Sequence, residues 1–312
     1  MAEFAFVFPG QGSQSVGMLD AWAGHPAVAA TLAEASAALG EDVGALIHAG
    51  PKEQLDLTAN TQPVMLAAGI ACWRAWMAET GRVPAAVAGH SLGEYSALVA
   101  AGALTLADAL PLVRFRAQAM QDAVPVGAGA MAAILGLDAQ AVAAGCAEVA
   151  AASGEVVEAV NFNDPRQTVI AGSKAGVEQA CAALKAKGAK RALTLPVSAP
   201  FHSSLMKPAA ERLKARLADT PVSAPAIPVV NNVDVRVETD PQRIRDALYR
   251  QAFGPVRWVE VVQALRAQGI ARFVECGPGK ALSGMVQRSL PEALTANVSD
   301  PETLAQARAA LS

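Results

Sequence analysis

The sequence predicts an α/β protein in two parts, with a smaller part inserted into a larger one that is built on a parallel sheet. Three observations carry this. Strand-like and helix-like segments alternate from the N-terminus to about Val124, the pattern of parallel strands with helices on both faces. A break at Pro125-Val126-Gly127-Ala128-Gly129 is followed by segments in the order βαββαβ, the split arrangement of ferredoxin-like domains. From residue 197 onward the first kind of alternation resumes.

In chain order, the apolar run Phe4-Ala5-Phe6-Val7-Phe8 reads as the first strand. Helices are expected near 25–39, 63–79 and 92–101, with a strand at 83–88. The insert is expected to hold strands at 131–135, 156–161, 168–171 and 191–195, with helices at 139–152 and 175–187. A turn at Asn163-Asp164-Pro165-Arg166 joins its two middle strands. Beyond it, a helix at 205–218, a strand at 227–231, helices at 240–250 and 256–268 and a strand at 272–275 complete the larger part. The expected domains are therefore 1–125 with 197–312, and the insert 126–196. The cleft between two such domains is the default place for a substrate.

Composition narrows the function. The chain has 312 residues, 53% hydrophobic and 17% charged, enough to bury a large core. A net charge of −3 argues against nucleic acid or an anionic membrane as partner. The longest uncharged run, 57–73, carries Asn60, Gln62 and Pro63, so no membrane span is expected. The sequence enters its first strand without a basic, cleavable leader. Cys72, Cys146, Cys181 and Cys276 lie far apart with no C-x-x-C pair. They are expected to be small apolar residues in a reducing cytoplasm, neither disulfides nor metal ligands.

The chemistry concentrates in Gly89-His90-Ser91-Leu92-Gly93-Glu94-Tyr95, between an apolar strand and a helix. This is the G-x-S-x-G nucleophile elbow of an α/β-hydrolase-like domain, which exposes the Ser91 hydroxyl at a helix N-terminus backed by backbone N–H groups. A serine held so can form an acyl ester. Of the four histidines, His25 and His48 read as surface residues, and His90, adjacent to Ser91, reads as support. His202, in the proline-marked loop where the chain re-enters the larger part, is the expected general base. A hydrolase triad needs an acid between serine and histidine. Asp138 and Asp164 are there, but both fall in the insert. A Ser–His dyad with a neutral acceptor behind the imidazole is expected instead. Phe8-Pro9-Gly10-Gln11-Gly12-Ser13-Gln14 fails as a dinucleotide fingerprint because Ser15 stands at the third glycine position. It reads as a tight loop beside the elbow that offers a second N–H to an oxyanion. Gly277-Pro278-Gly279-Lys280 lacks the flanking residues of a phosphate loop and reads as a turn.

F-P-G-Q-G-S-Q at 8–14, T-Q-P at 61–63, G-H-S-L-G-E-Y at 89–95, V-N-F-N at 160–163, N-N-V at 231–233 and E-C-G-P-G at 275–279 occur in that order. Together they resemble the malonyl-CoA:acyl carrier protein transacylase family of bacterial type II fatty-acid synthesis, essentially end to end. The resemblance implies malonyl-CoA as substrate with no bound cofactor and holo-acyl carrier protein as transient partner; the protein is expected to be a cytoplasmic monomer. It implies Ser91 as nucleophile, His202 as base, and the backbone N–H groups of Gln11 and Leu92 as oxyanion hole. Arg116 matches the arginine that grips the malonyl carboxylate, a task suited to a guanidinium fork; without the resemblance it would read as a helix-surface charge. Gln251 matches a position near the histidine and is a candidate for the orienting carbonyl. Asn161 and Asn163 match polar residues of the insert that face the cleft. Phe201, before His202, resembles the aromatic residue of malonyl-selective acyltransferases of polyketide synthases, which leaves a trans-acting polyketide acyltransferase open as an alternative. A serine esterase or thioesterase on the same elbow is a further alternative, one with no need of Arg116. Lys185, Lys187, Lys190 and Arg191 form a basic cluster suited to an acidic carrier protein, or simply a solvated helix end.

Overall fold

A computed structural model describes residues 3–197 and 199–312; Met1, Ala2 and Ser198 of the loop before His202 lie outside the described residues. The chain begins with β1 (Ala5–Phe8) and continues through α1 (Pro26–Leu39), α2 (Val43–Ala49), α3 (Lys52–Leu55) and α4 (Thr58–Thr80) to β2 (Ala86–Gly89). Next come α5 (Gly93–Ala100) and α6 (Leu106–Asp122). A second unit then forms from β3 (Gly129–Leu135), α7 (Ala139–Ser153), β4 (Val157–Asp164), β5 (Gln167–Ser173), α8 (Lys174–Ala186) and β6 (Arg191–Thr194). The chain returns through α9 (Lys207–Ala218), β7 (Val229–Val230), α10 (Pro241–Gln251), α11 (Trp258–Ala267), β8 (Arg272–Cys276), α12 (Ala281–Ser289), β9 (Leu294–Val298) and α13 (Pro301–Ala310).

Among the described residues these strands make two separate sheets, a mixed α/β architecture. One is parallel, in the order β7-β2-β1-β8-β9. The other is antiparallel, in the order β4-β5-β3-β6. β1 lies at the centre of the parallel sheet because both of its faces are apolar. Phe6 and Phe8 pack toward α4, and Phe6 meets Trp73 and Trp76 edge-on at 5.5 and 5.3 Å. Ala5 and Val7 point the other way, onto Trp258, Val261 and Val262.

The small sheet is stitched to the large one along β4. Its pairing with β5 is irregular between Ala159 and Asn161 and again between Phe162 and Asp164. At this irregularity Asn161 bridges Val256 of the larger unit, with Val256 N–H donating to Val160 O at 2.8 Å and Phe162 N–H to Val256 O at 2.9 Å. A bulge re-aims the side chains beside it, and here it turns consecutive residues of β4 toward the larger unit.

Several elements depart from the sequence expectation. The strand expected at 227–231 is only β7, two residues long. The helix expected from 63 begins at Thr58, with Pro63 inside it. α6, which carries Arg116, was not expected; Pro111 lies inside it and Thr105 caps it through Asp108 N–H at 3.0 Å. β9 and α13, also not expected, close the far edge of the parallel sheet. His25, expected at the surface, is only 16% exposed and packs edge-on to Trp22 at 5.4 Å. Cys72, Cys146 and Cys276 are buried and Cys181 is partly exposed. Among the described residues no helix is long and apolar enough to cross a membrane.

Candidate active site

The turn after β2 explains why glycine stands on both sides of Ser91. A Cβ on Gly89 would fall 1.9 Å from the Gly93 carbonyl carbon, and one on Gly93 would fall 2.0 Å from Phe8 O. A side chain at Gly89 would force the turn open, and one at Gly93 would push the elbow off β1. Ser91 itself takes a left-handed φ of 52°, a strained conformation for a non-glycine residue. It is held there by Asn232, whose Oδ1 accepts Ser91 N–H at 2.8 Å while its Nδ2 donates to Gly89 O at 2.8 Å. Not all elbow amides are free, contrary to expectation: Gly93 N–H donates to His90 O and Glu94 N–H to Ser91 O. Among the described residues, Leu92 N–H and Gln11 N–H have no acceptor. The loop bearing Gln11 lies against the elbow, since a Cβ on Gly10 would come 2.7 Å from His90 O.

His202 meets Ser91 directly, with Nε2 2.6 Å from Ser91 Oγ. Its Nδ1 lies 2.8 Å from the backbone carbonyl of Gln251. A carbonyl only accepts, so Nδ1 carries the proton and Nε2 is the bare nitrogen that receives the serine hydroxyl. His202 also has a left-handed φ, 66°, and is 3% exposed. Burial, then the nearby Arg116 cation, push its pKa down to about 3, so the imidazole is neutral at physiological pH. A hydroxyl bonded to such a nitrogen loses its proton as it attacks an electrophile. The acids of the insert are engaged elsewhere: Asp138 caps α7 through Ala141 N–H at 2.8 Å, and Asp164 accepts from Arg288 Nε at 2.6 Å.

Arg116 reaches the same point from α6. Its guanidinium donates to Gln62 Oε1 at 2.8 Å, to Gln251 Oε1 at 3.1 Å and to Ser91 Oγ at 3.3 Å. It lies 5.5 Å from the centre of the Tyr95 ring, and its Nε is buried with no partner among the described residues. The residue is 2% exposed, so it is no helix-surface charge. Burial pulls its pKa down, against the opposing pull of Tyr95 and Glu94. These groups open on a cleft of about 120 Å³ between the two sheets. Gln11, Leu92, Phe201 and Asn161 line it, with Met131, Leu195 and Val197 as its apolar wall.

Asn163 is a correction. It does not line the cleft; its Oδ1 lies 2.8 Å from His90 Nε2, and it is 4% exposed. The irregular pairing of β4 sends Asn161 and Asn163 to different neighbours. Four participants escaped the sequence reading: Gln62, Glu94, Met131 and Asn232. Gln62, Glu94 and Asn232 sit in the T-Q-P, G-H-S-L-G-E-Y and N-N-V motifs, which were their only signal.

The fold and site define an acyltransferase: the chain matches the acyl transferase domain family over residues 5–307 and belongs to it. Among its relatives is the malonyl CoA-acyl carrier protein transacylase of Salmonella typhimurium, 54% identical over 308 residues that cover 98% of this chain and 99% of the relative. A solved acyl-carrier-protein S-malonyltransferase from Burkholderia pseudomallei superimposes with a TM-score of 0.96 at 63% identity, covering 98% of this chain and 99% of its own. A malonyl-transacylase solved in complex with a type II PKS acyl-carrier protein matches with a TM-score of 0.96 at 50% identity, over 98% and 99% of the two chains.

Proposed function

We propose that this enzyme moves the malonyl group from malonyl-CoA to the phosphopantetheine thiol of acyl carrier protein, by a ping-pong route through a malonyl-Ser91 ester, and so supplies fatty-acid chain extension. The observation that carries this reading is Arg116, a buried cation within 3.3 Å of Ser91 Oγ. An acyl group esterified there needs a carboxylate at its far end to match that cation. A plain esterase has no use for it.

In the first half-reaction Ser91 Oγ attacks the thioester carbonyl as His202 Nε2 takes its proton. The carbonyl oxygen becomes an oxyanion that the N–H groups of Leu92 and Gln11 receive, which is supported by their having no acceptor among the described residues. The C–S bond breaks, and the CoA sulfur leaves with the proton from imidazolium. The second half runs the same steps backward with the carrier thiol as nucleophile. The 2.8 Å bond from His202 Nδ1–H to Gln251 O supports a dyad in which that carbonyl stands in for the triad acid. Asn161, lining the cleft with an Oδ1 that has no partner among the described residues, is a candidate donor–acceptor for the substrate chain.

The larger unit, 1–125 with 197–312, is read as α/β-hydrolase-like, supported by the elbow on a parallel strand. The insert, 126–196, is read as ferredoxin-like, supported by its βαββαβ order and its β4-β5-β3-β6 sheet. No bound cofactor is needed by these steps. The basic cluster remains the candidate face for an acidic carrier, although Lys187 is paired with Glu148 at 2.7 Å; Lys190 borders a second cavity, of about 460 Å³, with Arg166 and Arg288. The enzyme is read as a cytoplasmic monomer. Phe201 in the cleft wall favours a second assignment of pathway, a trans-acting malonyl acyltransferase serving a polyketide carrier.

Replacing Arg116 by Ala tests the reading. Breaking such a buried pair costs about 3–5 kcal/mol, so malonyl transfer should fall by about 10²–10⁴-fold while acetyl transfer is spared or raised. Equal losses for malonyl- and acetyl-CoA would remove Arg116 from carboxylate recognition.

A further inference from the structure

One carboxylate lies beneath the elbow and outside the reaction just described. Glu94 sits on the first turn of α5, three residues after Ser91, and is 2% exposed. Its Oε2 accepts two N–H groups, the backbone of Asn232 at 2.9 Å and Nε2 of Gln251 at 2.9 Å. Each of those residues holds part of the site. Asn232 clamps Ser91 N–H and Gly89 O. Gln251 gives its backbone carbonyl to His202 Nδ1, its Nε2 to Ser91 O at 3.0 Å, and its Oε1 to Arg116. The amide of Gln251 has two orientations, and only one serves both neighbours. An acceptor at Glu94 forces the NH₂ group inward, which leaves Oε1 facing the guanidinium.

We propose that Glu94 is a positioning residue for acyl transfer: by accepting from Gln251 and Asn232 together, it sets His202 and Arg116 at their working distances from Ser91. The inference rests on the transacylase reading. Position, not charge, is the operative property. Glu94 is not hydrogen-bonded to Arg116, whose contacts are to Gln62, Gln251 and Ser91. Burial also raises the Glu94 carboxyl to about 7, so near neutrality much of its charge is already gone while Oε2 still accepts.

Two variants separate position from charge. Glu94→Gln keeps the reach and an acceptor oxygen but removes the charge. Glu94→Asp keeps the charge but is one methylene too short to span both donors. The measurement is single-turnover acylation by malonyl-CoA, expressed per titratable Ser91 so that misfolded protein does not count. A displacement of about 1 Å in such a site costs about 10²-fold. Glu94→Asp should lose up to that factor per active site, and Glu94→Gln should stay within about threefold of wild type, well inside that range. Arg116-dependent preference for malonyl over acetyl should fall in Glu94→Asp alone, a change that simple loss of folded protein does not produce. A slow Glu94→Gln beside a fast Glu94→Asp would make charge the operative property and overturn the proposal. So would native per-site rates and preference in both variants. If wild type itself forms no malonyl ester, the transacylase reading fails first, and the two failures are told apart by that control.

Discussion

The two walls of the cleft are built on different principles. On the parallel-sheet side the reactive side chains are tied into one chain of hydrogen bonds: Ser91 to His202 and Asn232, His202 to Gln251, and Gln251 to Arg116 and Glu94. Both Ser91 and His202 hold left-handed backbone conformations there. On the antiparallel-sheet side the cleft meets Met131 and Leu195, continued by Val197 of the returning chain, and one amide, Asn161, whose Oδ1 has no partner among the described residues. The first wall is preorganised for charge development and the second offers shape and dryness. Chemistry needs fixed dipoles, whereas the choice of acyl group needs only a boundary of the right size. The small unit is nevertheless anchored, through Val160 and Phe162 to Val256 and through Glu158 to Ser204 N–H at 2.8 Å.

That contrast sets the scale of its tests. Substitution on the bonded wall should be the most damaging: His202→Ala should cut the Ser91 acylation rate by about 10⁴-fold or more. Its pH dependence sharpens the point. A histidine at its ordinary value of 6.5 would cost acylation about tenfold per pH unit below that value. With His202 held near 3 by burial, the acylation rate should instead stay nearly flat from pH 7 to 5.5, changing by less than about twofold. Stability has the opposite tendency. The unfolded chain takes up a proton at His202 below 6.5 that the folded chain refuses until about 3, so folding stability declines as pH falls through that window. A tenfold loss of acylation per active site by pH 5.5 would break the claim of a neutral, buried base.

Changes at the boundary of the cleft should be smaller and should act on choice. Phe201 is 8% exposed and lines the cleft beside His202. Phe201→Ser removes the ring and should admit a methyl branch, lowering the preference for malonyl- over methylmalonyl-CoA by about tenfold, since one methylene in a pocket counts for about 10–200-fold. Competition between the two thioesters measures it. An unchanged ratio would assign acyl selection to another part of the wall.

What could be read from sequence follows the same division between local and distant. Ser91 was legible because its signature is local: glycines stand two residues to either side, Gly89 demanded by the turn itself and Gly93 by the turn's close approach to β1. His202 was legible by elimination among four histidines and by its proline-marked loop. The carbonyl of Gln251 was anticipated only through family resemblance, because a backbone acceptor has no sequence signature. Glu94 and Asn232 were visible as motif letters without a role, since their bonds span 138 to 157 residues. Asn161 and Asn163 were placed at the cleft by family resemblance alone, and the irregular pairing of β4 sends Asn163 to His90 instead. α4 and α6 were misjudged for a single reason, a proline inside each helix, which reads from sequence as a boundary. The final strand and helix were missed because β9 is half-exposed along most of its length and carries little apolar signal.

The most direct test of the central claim is intact mass after mixing the protein with malonyl-CoA and, separately, acetyl-CoA, with Ser91→Ala as control. A malonyl adduct that forms on wild type alone, persists, and discharges onto added holo-carrier protein is the predicted result. Release of CoA with no lasting adduct, or at a rate indifferent to carrier protein, would mean that the acyl group passes to water and would contradict the transferase account.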